Sequence, residues 1–94
     1  MARLTALIRD AIDKGDYVLS KHATERLRER RITEWQVAVG AASARVLCER
    51  PADRSNPSVE MEQTLPDGTR IKAVWSWLPE SRMARLITVH FFDQ

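Results

Sequence analysis

The stretch VEMEQTLPDGTRIKAVWSW, residues 59–77, decides the fold of this chain. Val59, Met61 and Leu65 fall on alternate positions among polar residues, and the same period of two returns between residues 71 and 77. This is the period of a β-strand with one buried and one solvated face. Between the two halves, Pro66-Asp67-Gly68 favours a turn, because proline fixes φ and glycine permits a positive φ. The stretch therefore predicts an antiparallel β-hairpin.

Strand-like segments also flank this hairpin. One covers residues 45–49 and is followed by a loop containing Pro51, Asn56 and Pro57. The other covers residues 83–92 and follows a turn at residues 79–81. It is apolar on both faces, which predicts a strand that is central or covered on both sides. Together these segments predict an antiparallel meander of roughly four strands.

The residues before the strands have helical periodicity. Apolar positions 4, 7, 8, 11 and 12 predict a first amphipathic helix that ends at Lys14-Gly15. After a short extended stretch at residues 17–19, Ser20 is expected to cap a second helix that runs to about Arg31. Thr33 and Gln36 have the spacing of a capping box for a third helix.

Helices first and strands afterwards predict an α+β fold, with two or three N-terminal helices packed on one face of the sheet. The other face of the sheet would then be a ligand groove or a dimer contact.

Composition sets the broad class of protein. Ninety-four residues predict one domain over residues 1–94. Fifteen basic against 13 acidic residues give a net charge of +2, which is too slight to indicate a nucleic-acid partner by itself. The single Cys48 excludes an intramolecular disulfide and a cysteine-based zinc cluster, which favours a reducing, cytoplasmic location. No apolar run approaches the roughly 20 residues that cross a bilayer, so no membrane association is predicted.

The densest chemical signal is SKHATERLRERRIT, residues 20–33. On a helix, His22, Arg26 and either Glu29 or Arg30 lie along one stripe. An imidazole beside fixed positive charge suits a metal-independent ribonuclease, because histidine exchanges protons near neutral pH while arginine holds phosphate. A structural interpretation is also open: the charges are surface pairs and His22 is hydrogen-bonded at a helix start.

His90 lies on the same face of the last predicted strand as Thr88 and Phe92. It is either a second acid or base across a groove from His22, or a half-buried histidine near a strand end. A metal site would need Asp93 or Glu25 to join the two histidines, and that spacing matches no metal motif, so no cofactor is predicted.

The remaining candidates favour packing over chemistry. Trp75 and Trp77 share a strand face with apolar neighbours, so they are predicted to be core rather than base-stacking residues, as is Trp35 on the third helix. Cys48 is interpreted as a small buried residue rather than a nucleophile. Six further basic residues are either a scattered solvated set or a basic sheet surface for RNA; they are Arg50, Arg54, Arg70, Lys72, Arg82 and Arg85.

The segment at residues 20–33 resembles a bacterial family called domain of unknown function 4258. The matching elements are His22-Ala23, Glu25-Arg26 and residues 29–33, and the likeness extends to Ile87-Thr88-Val89-His90, covering about residues 17–92. Arg31 stands where the family pattern has glycine, which suggests a differently built helix end. His90 stands where an aromatic residue is commoner, which either adds a catalytic group or removes a contact.

This resemblance implies the RelE-like and colicin-nuclease-like fold of small bacterial toxins, and it implies metal-independent RNA cleavage. The predicted catalytic residues are His22, Arg26, Arg30 and His90. The predicted substrate-binding residues are Lys21, Glu25, Arg28 and Thr88.

The expected partners are RNA or the ribosome, an antitoxin-like protein and a second copy of the chain. The alternative is a non-catalytic interaction or regulatory module, such as a homodimer, in which the histidine-arginine stripe joins the second helix to the sheet.

Overall fold

The computed structural model of the chain describes residues 3–50 and 56–92. Pro51, Arg54 and Asp93 lie outside the described residues, so the predicted loop is described only at Asn56 and Pro57. The elements, in chain order, are α1 (Arg3–Asp13), β1 (Tyr17–Leu19), α2 (Lys21–Glu29), α3 (Glu34–Gly40), a 3-10 turn (Ala41–Ser43), β2 (Arg45–Arg50), β3 (Ser58–Thr64), β4 (Arg70–Leu78) and β5 (Met83–Phe91).

The α+β class is as predicted, but the sheet is larger than predicted. Its five strands follow the order β1-β5-β4-β3-β2, and neighbours from β2 to β5 are antiparallel. Strand β1 pairs in parallel with β5, from Tyr17 opposite Ala84 to Leu19 opposite Leu86. The prediction of a roughly four-stranded, wholly antiparallel sheet was therefore wrong. Three residues are too few to show a strand period, and a parallel partner more than 60 positions away leaves no local signal.

The ends of α2 fix the position of the stripe. Ser20 caps its start by accepting a hydrogen bond from the Ala23 amide, as predicted. The helix ends at Glu29 rather than near Arg31, because the Ile32 amide donates back to the Leu27 carbonyl and the Arg31 amide to the Arg28 carbonyl. This pair of bonds is a Schellman motif, whose turning residue adopts the left-handed conformation. Arg31 has φ of 57° and thus takes the conformation for which glycine is usual.

The capping box that starts α3 is also present. Thr33 accepts from the Gln36 amide, and the Gln36 side chain accepts from the Thr33 amide. None of the helices in the described part of the chain is long and apolar enough to cross a membrane.

The hydrophobic core lies between the helices and one face of the sheet. Trp75 and Trp77 are buried in it, which confirms their predicted role, and β5 is an internal strand between β1 and β4, as predicted. The prediction for Trp35 was wrong, since 65% of its surface is exposed. On α3 it is Val37 that packs inward, and a residue two positions away on a helix points to nearly the opposite side. Cys48 is half-buried, because β2 is an edge strand.

Candidate functional site

The face of the sheet opposite the core carries most of the polar residues of the strands. Residues that pair across neighbouring strands share a face, so the register defines rows of adjacent side chains. The rows are Arg45, Glu62, Lys72 and His90; Cys48, Glu60, Val74 and Thr88; Arg50, Ser58, Ser76 and Arg85; and a short row of Thr64 and Arg70. We call this set of residues the outer face.

The two carboxylates of the outer face are held in ion pairs. Glu62 accepts hydrogen bonds from Arg70 and, at 2.8 Å, from Arg45. Glu60 accepts from the Arg50 Nε at 2.8 Å and lies 3.5 Å from the Lys72 Nζ. Hydrogen bonds from these partners lower the pKa of both carboxyl groups, so both are ionised near neutral pH.

The outer face nevertheless carries an excess of positive charge. Five basic side chains belong to it against two carboxylates. Arg85 forms no ion pair with any residue between positions 3 and 50 or 56 and 92. Positive charge left over on an open polar surface favours an anionic partner.

His90 is the titratable centre of the outer face, directly opposite Lys72 in the β4–β5 register. Partial desolvation is the main cause that lowers the pKa of its imidazole. The positive charges of Lys72, Arg26 and His22 lower this pKa further, and Glu60 opposes them. His90 is therefore neutral near pH 7, and its side chain can accept a proton in a positively charged neighbourhood.

Beyond the end of β1, side chains on α2 and at its N-cap donate hydrogen bonds to the edge of β5. Strand β1 pairs only with residues 84–86. Beyond them, the Ser20 hydroxyl donates to the Ile87 carbonyl at 2.7 Å, and the Arg26 Nε donates to the Val89 carbonyl at 3.2 Å. These bonds satisfy carbonyls that an additional strand would otherwise have to meet. The stripe that His22, Arg26 and Arg30 form along α2 and its C-terminal end, which we call the α2 stripe, is thereby fixed beside His90.

Arg26 and Arg30 also stack on the end of β5. Their guanidinium carbons lie 5.5 and 4.2 Å from the centroid of the Phe91 ring. Arg26 also lies 3.9 Å from the Glu29 carboxylate. Both arginines therefore attach α2 to the sheet, which is the part of the structural interpretation that the contacts support.

The predicted site residues divide between two sides of α2. His22 is exposed, and its charge acts on His90, so the two histidines belong to one electrostatic neighbourhood. Glu25 is exposed within a turn of His22. Lys21 is exposed about 100° around the helix from His22, and Arg28 lines a depression with Leu27 and Ile32 on the opposite flank of α2. The structure does not bring Arg28 to the outer face.

Thr88 lies beside His90 on β5, separated from it by one residue. Its hydroxyl oxygen is buried and forms no hydrogen bond with the described residues. Its partner in the row, Val74, borders a depression of about 350 Å³, lined by Asn56, Ser58, Val74, Ser76, Arg85 and Ile87.

Sequence reasoning missed the importance of Lys72, Glu60 and Arg85. Two of them stood in the scattered basic set, and Glu60 was only one residue of an alternating strand. The signal that unites them with His90 is the register of three strands, which becomes visible only after the strands pair. Among the described side chains there is no group of three or more His, Cys, Asp or Glu residues that could hold a metal ion, so Glu25 does not complete a metal site with the histidines.

Comparison with models of protein families matches residues 19–91 to one family, described as Domain of unknown function (DUF4258). The matched segment begins at the end of β1 and includes α2, α3 and β2 to β5. Comparisons with curated proteins and with solved structures found no match.

Proposed function

Because the chain belongs to the DUF4258 family, whose model spans the α2 stripe and the outer face, we propose that it is a metal-independent, RelE-like endoribonuclease that binds RNA on that face. The observation that carries this proposal is the placement of His90 opposite Lys72, with Arg26 and His22 acting on it from α2. A neutral imidazole among cations is the arrangement that a general base for a phosphodiester substrate requires.

In the proposed reaction, neutral His90 takes the proton of a ribose 2′-hydroxyl. The oxygen then forms a bond to the adjacent phosphorus while the bond from phosphorus to the 5′-oxygen breaks. Protonated His22 gives a proton to that 5′-oxygen, so the products are a 2′,3′-cyclic phosphate and a 5′-hydroxyl. Lys72 is placed to stabilise the negative charge that develops on the phosphate oxygens.

Arg26 is a positioning residue in this scheme. Its Nε is bonded to the Val89 carbonyl, so it holds α2 and contributes charge without being free to move to the phosphate. The proposed role of Arg30 is the same, since its guanidinium lies over the Phe91 ring.

The rest of the bound RNA would follow the rows of side chains on the outer face. Successive rows lie about 7 Å apart, because residues on one face are two positions apart in a strand. The depression beside Val74 and Ile87 offers an apolar floor to a base, and Arg85 at its border is available to a phosphate. Single-stranded RNA, free or on the ribosome, is therefore the proposed substrate.

The test is cleavage of end-labelled RNA by purified protein in EDTA, with and without ribosomes. We expect products that end in a cyclic phosphate, and a loss of about 10²- to 10⁴-fold for His90→Ala. Arg28→Ala is the matched control, because its side chain lies on the other flank of α2. Cleavage by His90→Ala at the rate of the unchanged chain would refute the assignment, and an inactive unchanged chain in both settings would refute the enzyme.

A non-catalytic module remains the second candidate, and the contacts of Arg26 and Arg30 with β5 favour it. On this proposal the outer face binds an antitoxin-like protein or a second copy of the chain. Arg26→Met would lower the free energy of unfolding under either candidate function, so it does not separate them. His90→Ala does: if the protein is an enzyme, this variant loses RNA cleavage while the chain stays fully folded.

A further inference from the structure

A second surface, on the helical side of the molecule, has the features of a binding groove. It lies among α1, β1, α3 and the 3-10 turn and has a volume of about 320 Å³. The lining includes Ile12, Tyr17, Trp35, Ala38, Val39 and Ala41. This volume is at the lower end of the range for ligand pockets in proteins, about 300 to 1,000 Å³.

Two large apolar side chains stand exposed at this groove. Trp35 is 65% exposed and Val39 is 58% exposed, and they lie one helical turn apart on α3. Single exposed apolar residues are ordinary on protein surfaces. An exposed tryptophan next to an aliphatic residue and an apolar groove is typical of a protein-binding surface.

The charges around the groove are mainly negative. Asp13 lines it, Asp16 lies between two lining residues, and Glu34 interacts with Tyr17. Lys14 also lies between two lining residues, but it is paired with Asp10 of α1. Arg9, the one cation among the described residues that line the groove, donates hydrogen bonds to the carbonyls of Ala41 and Ala44. The Arg9 guanidinium is thus bonded to the wall of the groove, whereas Asp13, Asp16 and Glu34 are exposed.

We propose that this groove binds a helical segment of a partner protein, with apolar residues one turn apart and lysine or arginine at its flanks. The apolar requirement comes from Trp35 and Val39, and the basic flanks complement Asp13, Asp16 and Glu34. A groove between two helices suits a third helix that inserts its apolar side. Nucleic acid is disfavoured here because its phosphates would meet carboxylates. The proposal is independent of RNA cleavage, since it uses the other side of the sheet.

The test is selection from a display library of random 16-residue peptides on the immobilised full chain. We expect enriched peptides with aliphatic or aromatic residues at a spacing of three or four and with basic flanks. The affinity for a synthesised peptide of the enriched sequence should weaken about tenfold or more with Trp35→Ser and with Val39→Gln. Leu47→Gln is the matched control, because Leu47 is 39% exposed on β2 at the far edge of the sheet.

Charge reversal gives a second, independent measurement. Asp13→Lys should shift the selection from basic to acidic flanks, and raised salt should weaken the basic peptides. Binding should also shift the fluorescence of Trp35 to shorter wavelength, because Trp75 and Trp77 are already buried.

Several outcomes overturn the proposal. These are no enrichment above background, enriched peptides that are acidic, or equal binding to the Trp35→Ser variant with a native circular dichroism spectrum. Sedimentation that shows a dimer lost on Trp35→Ser would assign the groove to a second copy of the chain instead.

Discussion

At the scale of single residues, Gly15 and Arg31 end their helices in the same way. After α1, the Asp16 amide donates to the Ala11 carbonyl and the Gly15 amide to the Ile12 carbonyl, as Ile32 and Arg31 do after α2. Both turning residues have a positive φ, 82° for Gly15 and 57° for Arg31. Only the second carries a Cβ, which makes the left-handed conformation costly by roughly 1–2 kcal/mol.

Arg31→Gly is therefore expected to stabilise the protein. Relief of the left-handed strain outweighs the added freedom of glycine in the unfolded chain, so the gain should be about 0.5–1 kcal/mol in thermal or urea unfolding. Gly15→Ala is the matched control and should destabilise by about 1 kcal/mol. A destabilised Arg31→Gly variant would contradict this account of the helix end.

Ser20 joins two elements through one hydroxyl group. It accepts from the Ala23 amide and donates to the Ile87 carbonyl. Ser20→Ala should lower the free energy of unfolding by about 1–3 kcal/mol, because a helix cap and a partly buried carbonyl both lose a partner. Ser43→Ala, at an exposed position of the 3-10 turn, should change it by less than about 0.5 kcal/mol. Equal effects in urea titrations would contradict the role of Ser20.

The pKa of His90 reports the charges gathered on the outer face. NMR titration of the imidazole should give a pKa below the ordinary value of about 6.5. Lys72→Met should raise that pKa, since a cation is removed, while Arg28→Met should leave it unchanged. Lys72→Met without effect would contradict the proximity of the two side chains.

This shift also fixes the sign of a stability effect. Because the pKa of His90 is lower in the folded than in the unfolded chain, protonation opposes folding. The free energy of unfolding should thus fall as pH drops through about 6.5 and level off below the folded pKa. The His90→Gln variant should lack this part of the pH dependence.

At the scale of elements, α3 meets β3 where Gly40 faces Gln63. A Cβ at position 40 would clash with the Gln63 Nε2, which donates to the Val37 carbonyl at 3.2 Å. Gly40 has a negative φ, so it is the close approach and not the backbone conformation that requires glycine. The Gln63 side chain is buried, so its displacement by a Cβ at position 40 would break this hydrogen bond.

Gly40→Ala should therefore destabilise by about 1–3 kcal/mol through displacement of Gln63 from the Val37 carbonyl. A double-mutant cycle with Gln63→Ala tests whether the clash with Gln63 causes this loss of stability. In the Gln63→Ala background the alanine at position 40 should cost much less, because the clash is gone. Additive effects in urea unfolding would contradict the clash.

At the scale of the whole molecule, charge is divided between two sides. The outer face carries five cations against two carboxylates, whereas carboxylates border the groove at Trp35 and Val39. The net charge of +2 hides this division, because the two sides nearly cancel. The proposed RNA and the proposed basic partner helix would thus bind opposite sides of the molecule.

RNA binding should depend on salt in proportion to the phosphates that the outer face neutralises. Arg85→Ala should weaken binding of single-stranded RNA and lower the slope of log K against log salt by about 0.7. Lys14→Ala is the control, because Lys14 pairs with Asp10 on α1, away from the outer face. An unchanged slope for Arg85→Ala would remove the depression beside Val74 from the proposed RNA path.

The sequence by itself determined the local structure. Helix caps at Ser20 and Thr33, the turn at Gly68 and the burial of Trp75 all depend on neighbours within a few positions or on the period of one strand. The family match over residues 19–91 was likewise contained in the order of residues.

Only the tertiary structure decided which chemical groups meet. Lys72 and His90 are 18 positions apart in sequence, Thr5 bonds to Glu49 across 44 positions, and β1 pairs with β5 although all the other strands lie between them in sequence. Periodicity predicts which face of a strand a residue occupies but not which strand lies beside it, because the local sequence of one strand does not encode the identity of its pairing partner. The outward position of Trp35 was decided in the same way, by packing that let Val37 face the core.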